Sequence, residues 1–183
     1  MNRFEFYKSL YEIEDKKWTE LHNSLNIPLA VIAIIGAAIY TYIINFHYCE
    51  FNFNTWVFIL LCSMSGILLI ISIIYLIKVF VFSFQTDYNY RHIGYTDELE
   101  EFYMTILNRY PNTNSDRVVM ATLDYENFLI ERYALFSGAN LRINKAWSAY
   151  LNRGKVFLVS SLVFVIIAFI PFLVNRFYHI PLI

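Results

Sequence analysis

The stretch VFLVSSLVFVIIAFIPFLVN, residues 156–175, decides the fold because it carries no charged side chain and is long enough to cross a bilayer. A transmembrane helix needs about 20 predominantly apolar residues. Residues 27–46 form a second uncharged stretch, and residues 56–84 form a third in which Lys78 is the only charge. Backbone groups in lipid must satisfy one another, which favours helix in all three stretches. The sequence therefore predicts an all-α integral membrane protein with three transmembrane helices.

The overall composition also favours a bilayer over a larger soluble core. Of the 183 residues, 58% are hydrophobic, whereas soluble domains average about 45–50%. The net charge of -1 gives no global attraction to nucleic acid or to anionic lipid. The cysteines and histidines lack metal-ligand spacing, so no metal and no cofactor are expected. The N-terminal residues lack the apolar run and cleavage site of a signal peptide, so a retained first helix is expected to insert the chain.

The distribution of Lys and Arg predicts the orientation. These residues are frequent in the N-terminal segment and in residues 85–155, absent from residues 47–55, and reduced to Arg176 in the tail. The predicted arrangement is a cytoplasmic amphipathic helix, two spans with a short external loop, a cytoplasmic helical region, and a third span with an external tail. Their boundaries are 1–26, 27–84, 85–154 and 155–183. The predicted location is the bacterial inner membrane, with the N-terminus cytoplasmic and the C-terminus external.

Two cytoplasmic helices have distinctive patterns. Residues 4–24 place aromatic and leucine side chains at three- and four-residue steps, interrupted by Glu14. This helix either packs on other helices or lies on the membrane surface, which usually requires a more basic polar face. From residue 117 onward no proline occurs before the third span, so one long helix is predicted to be continuous with that span. Such a helix can act as a lever, with Gly154 as its weak point.

Arg132 falls in the apolar stripe of this long helix and is therefore predicted to be buried. A buried guanidinium needs a carboxylate or a bound anion. Glu126 and Glu131 are local candidates, and Glu100 or Glu101 can come from a short helix before the turn at residues 110–115. One interpretation is a structural ion pair or a snorkelling arginine, and the other is a phosphate contact.

Further candidate ligand-binding residues lie along the same helix. Asn140 and Asn144 are four residues apart, so they face the same way and either bridge helices or contact a base or sugar of a nucleotide. Arg142 and Lys145 lie on a basic flank. That flank is either solvated, or a positive collar near the membrane, or a track for a phosphate backbone. The acidic residues of this segment weaken the last interpretation.

The sequence contains no phosphate-binding glycine loop, nucleophile elbow or zinc-protease motif, so an enzyme is not expected. The spans carry hydroxyl and amide groups but no ionisable group in their interior, which disfavours a proton-coupled transporter. Gly36, Ala37, Ala38 and Gly66, together with nearby serines, are predicted to let helices approach closely. Three spans enclose no pore alone, so any channel must be a homo-oligomer.

Short motifs at both ends of the chain resemble one family of small bacterial membrane proteins. The first is the stretch at residues 11–28, which includes Lys16, Lys17, His22 and Ile27-Pro28 before a span with Gly36. The second is Asn140 and Asn144 followed by Arg153 and a span that ends in Ile170-Pro171-Phe172. This pattern resembles the HalA-like membrane effectors of the Hailong anti-phage defence system, over nearly the whole chain.

The resemblance implies a function that composition and periodicity do not. It implies a tetrameric channel in the bacterial membrane whose cytoplasmic region binds single-stranded DNA oligomers made by a partner nucleotidyltransferase. The bound oligomer keeps the channel shut, and its loss depolarises the membrane. Two other hypotheses remain open from the residues alone. One is a non-channel membrane scaffold that recruits a cytoplasmic partner, and the other is an effector opened by a cyclic nucleotide, which the third span disfavours.

Overall fold

The computed structural model describes residues 2–48, 52–87, 90–111 and 116–178, with side chains omitted for residues 82–87. The described part forms five helices and no strand. They are α1 (Arg3–Asn23), α2 (Asn26–Asn45), α3 (Phe53–Asp87), α4 (Thr96–Arg109) and α5 (Arg117–Tyr178). Residues 179–183 of the predicted external tail and most of the predicted turn at residues 110–115 lie outside the described residues.

Three helical stretches are long and apolar enough to cross a membrane. They are Arg3–Asn45, Phe53–Val81 and Arg117–Tyr178. The predicted all-helical architecture with three such helices is confirmed. The predicted continuity of the last helix is confirmed as well, because α5 runs unbroken for 62 residues. Gly154, predicted as the weak point, lies inside this helix.

The chain packs into two units. The first, called the polar unit, consists of Met1–Leu21 and Gln85–Ala146. The second, called the apolar unit, consists of His22–Phe84 and Trp147–Ile183 and holds the three apolar stretches. Both α1 and α5 contribute residues to each unit.

In the apolar unit, α3 and α5 are joined by hydroxyl groups. The Ser65 hydroxyl donates to the Ser161 carbonyl at 3.0 Å, and the Ser161 hydroxyl donates to the Ser65 carbonyl at 2.9 Å. Ser72 donates to the carbonyl of Gly154 at 2.9 Å. All three serines are fully buried. Their hydrogen bonds stay within the protein, as burial away from water requires.

The small residues predicted to let helices approach closely differ in what they do within this chain: Ser65, beside Gly66, packs against α5, whereas the two glycines meet no neighbour. A Cβ atom added at Gly36 or Gly66 would meet nothing within 4 Å, so neither glycine is needed for packing inside this chain. A Cβ atom at Gly154 would lie 3.2 Å from the Leu76 side chain. Periodicity places small residues on a helix face, but it does not show which face meets a neighbour. Gly154 therefore serves α3–α5 packing and does not break the helix.

Two asparagines bind backbone groups at the end of the apolar unit where α2 terminates. Asn175 accepts from the His47 backbone N–H at 3.0 Å and donates to the His47 carbonyl at 2.9 Å. Asn54 donates to the carbonyl of Pro171 at 3.0 Å. The rings of Phe46 and Phe58 stack with their centroids 3.9 Å apart. Side-chain amides thus satisfy backbone groups where α2 ends and where α5 contains its proline.

In the polar unit, α1 packs on α5 through aromatic rings. Phe4 and Tyr11 both meet Tyr133 edge-on, with centroids 5.7 and 5.6 Å away. The ring centroids of Trp18 and Tyr90 are 4.7 Å apart. These contacts support the first of the two interpretations of α1, a helix packed on other helices. The helix α4 also packs on α5, where the ring centroids of Phe102 and Phe128 are 4.2 Å apart.

Candidate ligand-binding site

Arg132 is exposed, which corrects the prediction that its guanidinium is buried. The guanidinium carbon lies 5.1 Å from the Phe128 ring centroid and 5.6 Å from that of Phe136. The three residues follow one another at four-residue steps, so they form one ridge of α5. Cation–π contacts at exposed sites contribute about 0.5–1 kcal/mol. The rings therefore contact the guanidinium group while leaving its N–H groups to other partners.

Within the described residues, no acidic side chain forms an ion pair with Arg132. The three ion pairs there all lie within α1. The predicted partners Glu100, Glu101, Glu126 and Glu131 are exposed. A guanidinium with five donors and no carboxylate partner is suited to an anion with two oxygens that accept parallel hydrogen bonds, such as a phosphate or a carboxylate.

Arg132 lines a cleft of about 340 Å³ in the polar unit. The walls come from α4, α5 and the link before α4. The lining residues are His92, Ile93, Gly94, Glu98, Leu99, Phe102, Phe128, Arg132 and Phe136. Pockets of about 300–1,000 Å³ with apolar walls and few polar groups are typical of small-ligand sites.

The turn at Gly94 shapes one wall of this cleft. Its φ of 108° lies in the region that favours glycine. A Cβ atom there would stand 3.2 Å from the Glu98 Oε2 atom. That oxygen accepts a long hydrogen bond, 3.4 Å, from the Tyr95 backbone N–H at the start of α4. Glu98 is the carboxylate on the wall, and its charge limits how far an anion can extend in that direction.

A second arginine lies near the same ring. The Arg91 guanidinium carbon is 5.8 Å from the Phe136 centroid, and its side chain is exposed. Arg91 and Arg132 therefore both contact Phe136, and His92 lines the adjoining cleft. The arrangement places two guanidinium groups beside aromatic surface, a combination suited to an anion that carries a ring.

Asn140 positions the link that carries Arg91. Its Oδ1 accepts from the Arg91 backbone N–H at 3.0 Å, and its Nδ2 donates to the Arg91 carbonyl at 3.1 Å. Asn140 is fully buried. Of the two predicted roles, bridging is the one its hydrogen bonds support, because both polar groups are engaged and none faces solvent. Its contribution to a ligand is to position Arg91.

Asn144 is likewise committed to the protein. Its Nδ2 donates to the Glu14 carbonyl at 2.9 Å and to Glu14 Oε2 at 3.0 Å. The other carboxylate oxygen of Glu14 accepts from Lys17 at 2.6 Å. Glu14, which interrupts the apolar stripe of α1, is buried because these partners satisfy it. Asn144 thus bridges α1 and α5.

Two complementary polar atoms lie beside this bridge. The Tyr90 hydroxyl and the Asn144 Oδ1 atom are buried and make no hydrogen bond within 3.5 Å. The pKa of Tyr90 is raised, first by burial and then by Asp15, while Asn144 opposes this rise.

The predicted ligand-binding residues do not form one site. Arg132 lies in the cleft, whereas Asn140 and Asn144 are buried in packing. Arg142 and Lys145 are exposed and do not line the cleft. Arg91, His92, Phe128 and Phe136 were not among the predicted site residues, although the four-residue spacing of Phe128, Arg132 and Phe136 is a visible pattern. In the part of the chain that the structure describes, no three His, Cys, Asp or Glu side chains form a potential metal site.

Comparison with protein-family models, curated proteins and solved structures finds no match to this chain.

Proposed function

We propose that this chain is the subunit of a homo-oligomeric channel in the bacterial inner membrane, an effector of anti-phage defence that depolarises the membrane when open. In this proposal a nucleotide or a DNA oligomer made by a partner nucleotidyltransferase binds the polar unit and controls the channel. The N-terminus and the polar unit are cytoplasmic, and the C-terminus is external. The resemblance to Hailong effectors motivates the biological setting.

The observation that carries the proposal is the state of Arg132. It is exposed, lies beside two phenylalanine rings, and forms no ion pair with an acidic side chain among the described residues. Nucleotides offer what this site lacks, a phosphate for the guanidinium and a base that can stack on aromatic or guanidinium surface. Arg91 supplies a second cation beside Phe136.

The apolar unit supports the channel part of the proposal through its surface. Ser63 is exposed and Ser160 is half-buried on the predicted spans, and neither carries charge. Gly36 and Gly66 meet nothing within this chain, so they are available for close packing against another copy. In an oligomer, uncharged polar positions of this kind can border water. Arg142 and Lys145, both exposed, would add positive charge from several copies around one ligand.

The test is the membrane potential of bacteria that express the chain, followed with a voltage-sensitive dye. Expression alone is expected to depolarise the cells, and co-expression of a nucleotidyltransferase partner is expected to restore the potential. Arg132→Ala should abolish the partner's effect. Arg109→Ala is the matched control, because Arg109 is exposed on α4 and does not line the cleft. An unchanged membrane potential, with the protein verified in the membrane, would contradict the proposal that the chain forms a channel.

One surface favours the scaffold as the second candidate. Val118, Val119, Met120 and Leu123 are each at least 45% exposed near the start of α5. Consecutive exposed apolar residues in a polar unit are typical of a protein–protein interface. A scaffold predicts no depolarisation and a stoichiometric partner that is lost in Val119→Glu. A channel predicts depolarisation whether or not that partner is present.

A further inference from the structure

A groove in the apolar unit lies between α2 and α5 and has a cation at one end only. Its volume is about 390 Å³, and its walls are Ser24, Ile27, Pro28, Val31, Lys155, Leu158, Val159 and Leu162. Pockets of this size accommodate ligands with one apolar chain or ring system.

The lining residues follow helical stripes on the two walls. Lys155, Leu158, Val159 and Leu162 are spaced at three- and four-residue steps, so they share one face of α5. Ile27, Pro28 and Val31 show the same spacing on α2. Seven residues of helix extend about 10 Å, which is most of one leaflet of a hydrocarbon core about 30 Å thick. The groove is therefore lined by apolar side chains along about 10 Å of helix.

The polar residues stand at the same end of both stripes. Ser24 precedes α2, and Lys155 is the first lining residue of α5. Lys155 is half-buried, and within residues 2–48, 52–87, 90–111 and 116–178 no carboxylate forms an ion pair with it. A cation at the mouth of an apolar groove complements an anion that carries a hydrocarbon chain.

We infer that this groove binds an anionic phospholipid of the cytoplasmic leaflet, with one acyl chain along α2 and α5 and the headgroup phosphate on Lys155. This inference rests on the membrane embedding and orientation proposed above, but on neither the channel nor its ligand. A larger groove of about 520 Å³ on the other side of α2 contains no lysine or arginine in its lining. The smaller groove is therefore the better match for an anionic lipid, because only its lining contains a lysine, Lys155.

The experiment compares lipid retention by purified full-length protein. The protein is equilibrated with equal amounts of phosphatidylglycerol and phosphatidylcholine in detergent, and bound lipid is counted by native mass spectrometry. The wild type is expected to retain phosphatidylglycerol preferentially. Lys155→Gln should lower that preference about fivefold, the effect of one lysine near an anionic headgroup. Lys78→Gln is the matched control, since Lys78 is exposed on α3, lies 5.8 Å from the Tyr75 ring and does not line the groove.

Val159→Trp tests the acyl-chain part of the inference. Val159 is 60% exposed, so a larger side chain should fill the groove without disturbing the helix packing. This variant should lose both lipids, and Ile27→Trp on the opposite wall should do the same. Equal losses in Lys155→Gln and Lys78→Gln would overturn the inference, as would wild-type lipid retention in both tryptophan variants. Because retention is measured without a membrane potential or a nucleotide, its failure is distinguishable from failure of the channel proposal.

Discussion

The side-chain amide of Asn140 exchanges two hydrogen bonds with the backbone of Arg91, at 3.0 and 3.1 Å. Asn175 makes the same pair of bonds with His47, at 3.0 and 2.9 Å. Each asparagine lies on α5 and holds a residue that follows another helix. The long helix therefore holds a connecting link in each unit by the same chemistry. In the polar unit this places Arg91 beside the Phe136 ring that also contacts Arg132.

The Asn140 bridge predicts a large stability effect. Asn140→Ala should lower the stability of the polar unit by about 1–3 kcal/mol, because it removes both partners of the Arg91 backbone. Thermal unfolding of the full chain in detergent measures this as a lower transition temperature. Asn127→Ala is the matched control, since Asn127 is exposed on the same helix. Equal transition temperatures in the two variants would contradict the bridge.

The contact between Glu14 and Asn144 predicts energetic coupling. Glu14→Ala and Asn144→Ala should each destabilise the chain, while the double variant should lose less than the sum. The expected coupling is about 0.5–3 kcal/mol, as for residues in one hydrogen-bond network. Chemical unfolding of the four proteins in the cycle measures it. Strict additivity would show that the observed contact does not contribute to stability.

Burial of tyrosines in the polar unit predicts loss of stability at high pH. The pKa values of Tyr90, Tyr11 and Tyr133 are all raised above 10.0, mainly by burial. Below pH 10 their stabilising effect is complete. As pH rises above 10 the unfolded chain releases these protons before the folded chain does, so stability falls through the folded pKa values. Unfolding temperatures measured between pH 8 and pH 11 should decline less steeply in Tyr90→Phe than in the wild type. An identical decline would contradict the buried position of Tyr90.

The close contact of Gly154 with Leu76 predicts a contrast among glycines. Gly154→Leu should destabilise the apolar unit by about 1–3 kcal/mol, because the added atoms must displace the Leu76 side chain. Gly66→Ala is the control and should be neutral or stabilising by up to about 1 kcal/mol, since alanine favours helix and nothing lies within 4 Å. Thermal unfolding in detergent separates the two. Destabilisation by Gly66→Ala within the monomer would contradict the packing described above.

Hydropathy and helical periodicity predicted the helices because both depend only on residues that are close together in the sequence. The uncharged stretches, the turn before α5 and the absence of proline before the third span place α2, α3 and α5 within a few residues of their observed ends. The same reasoning could not identify tertiary partners. Arg132 lies on the stripe as predicted, yet it is exposed because α4 and the link before it leave a cleft beside α5 instead of covering that ridge.

The partners of Asn140 and Asn144 were also beyond prediction, for a different reason. Asn140 binds backbone groups of Arg91, and any residue but proline offers such groups, so no side-chain pattern identifies the contact. Glu14 was identified only as a break in a stripe. Its burial depends on Asn144, which is 130 positions away in the chain. Long-range polar contacts of this kind become visible only once α1 and α5 are packed together.

The most direct test of the central claim is the membrane potential of bacteria expressing the wild type, Arg132→Ala or Arg109→Ala, each with and without a nucleotidyltransferase partner. We expect depolarisation by all three proteins alone, restoration of the potential by the partner for the wild type and Arg109→Ala, and no restoration for Arg132→Ala. A potential that stays unchanged with each protein verified in the membrane would contradict the channel. Equal restoration of all three would contradict the assignment of ligand binding to Arg132.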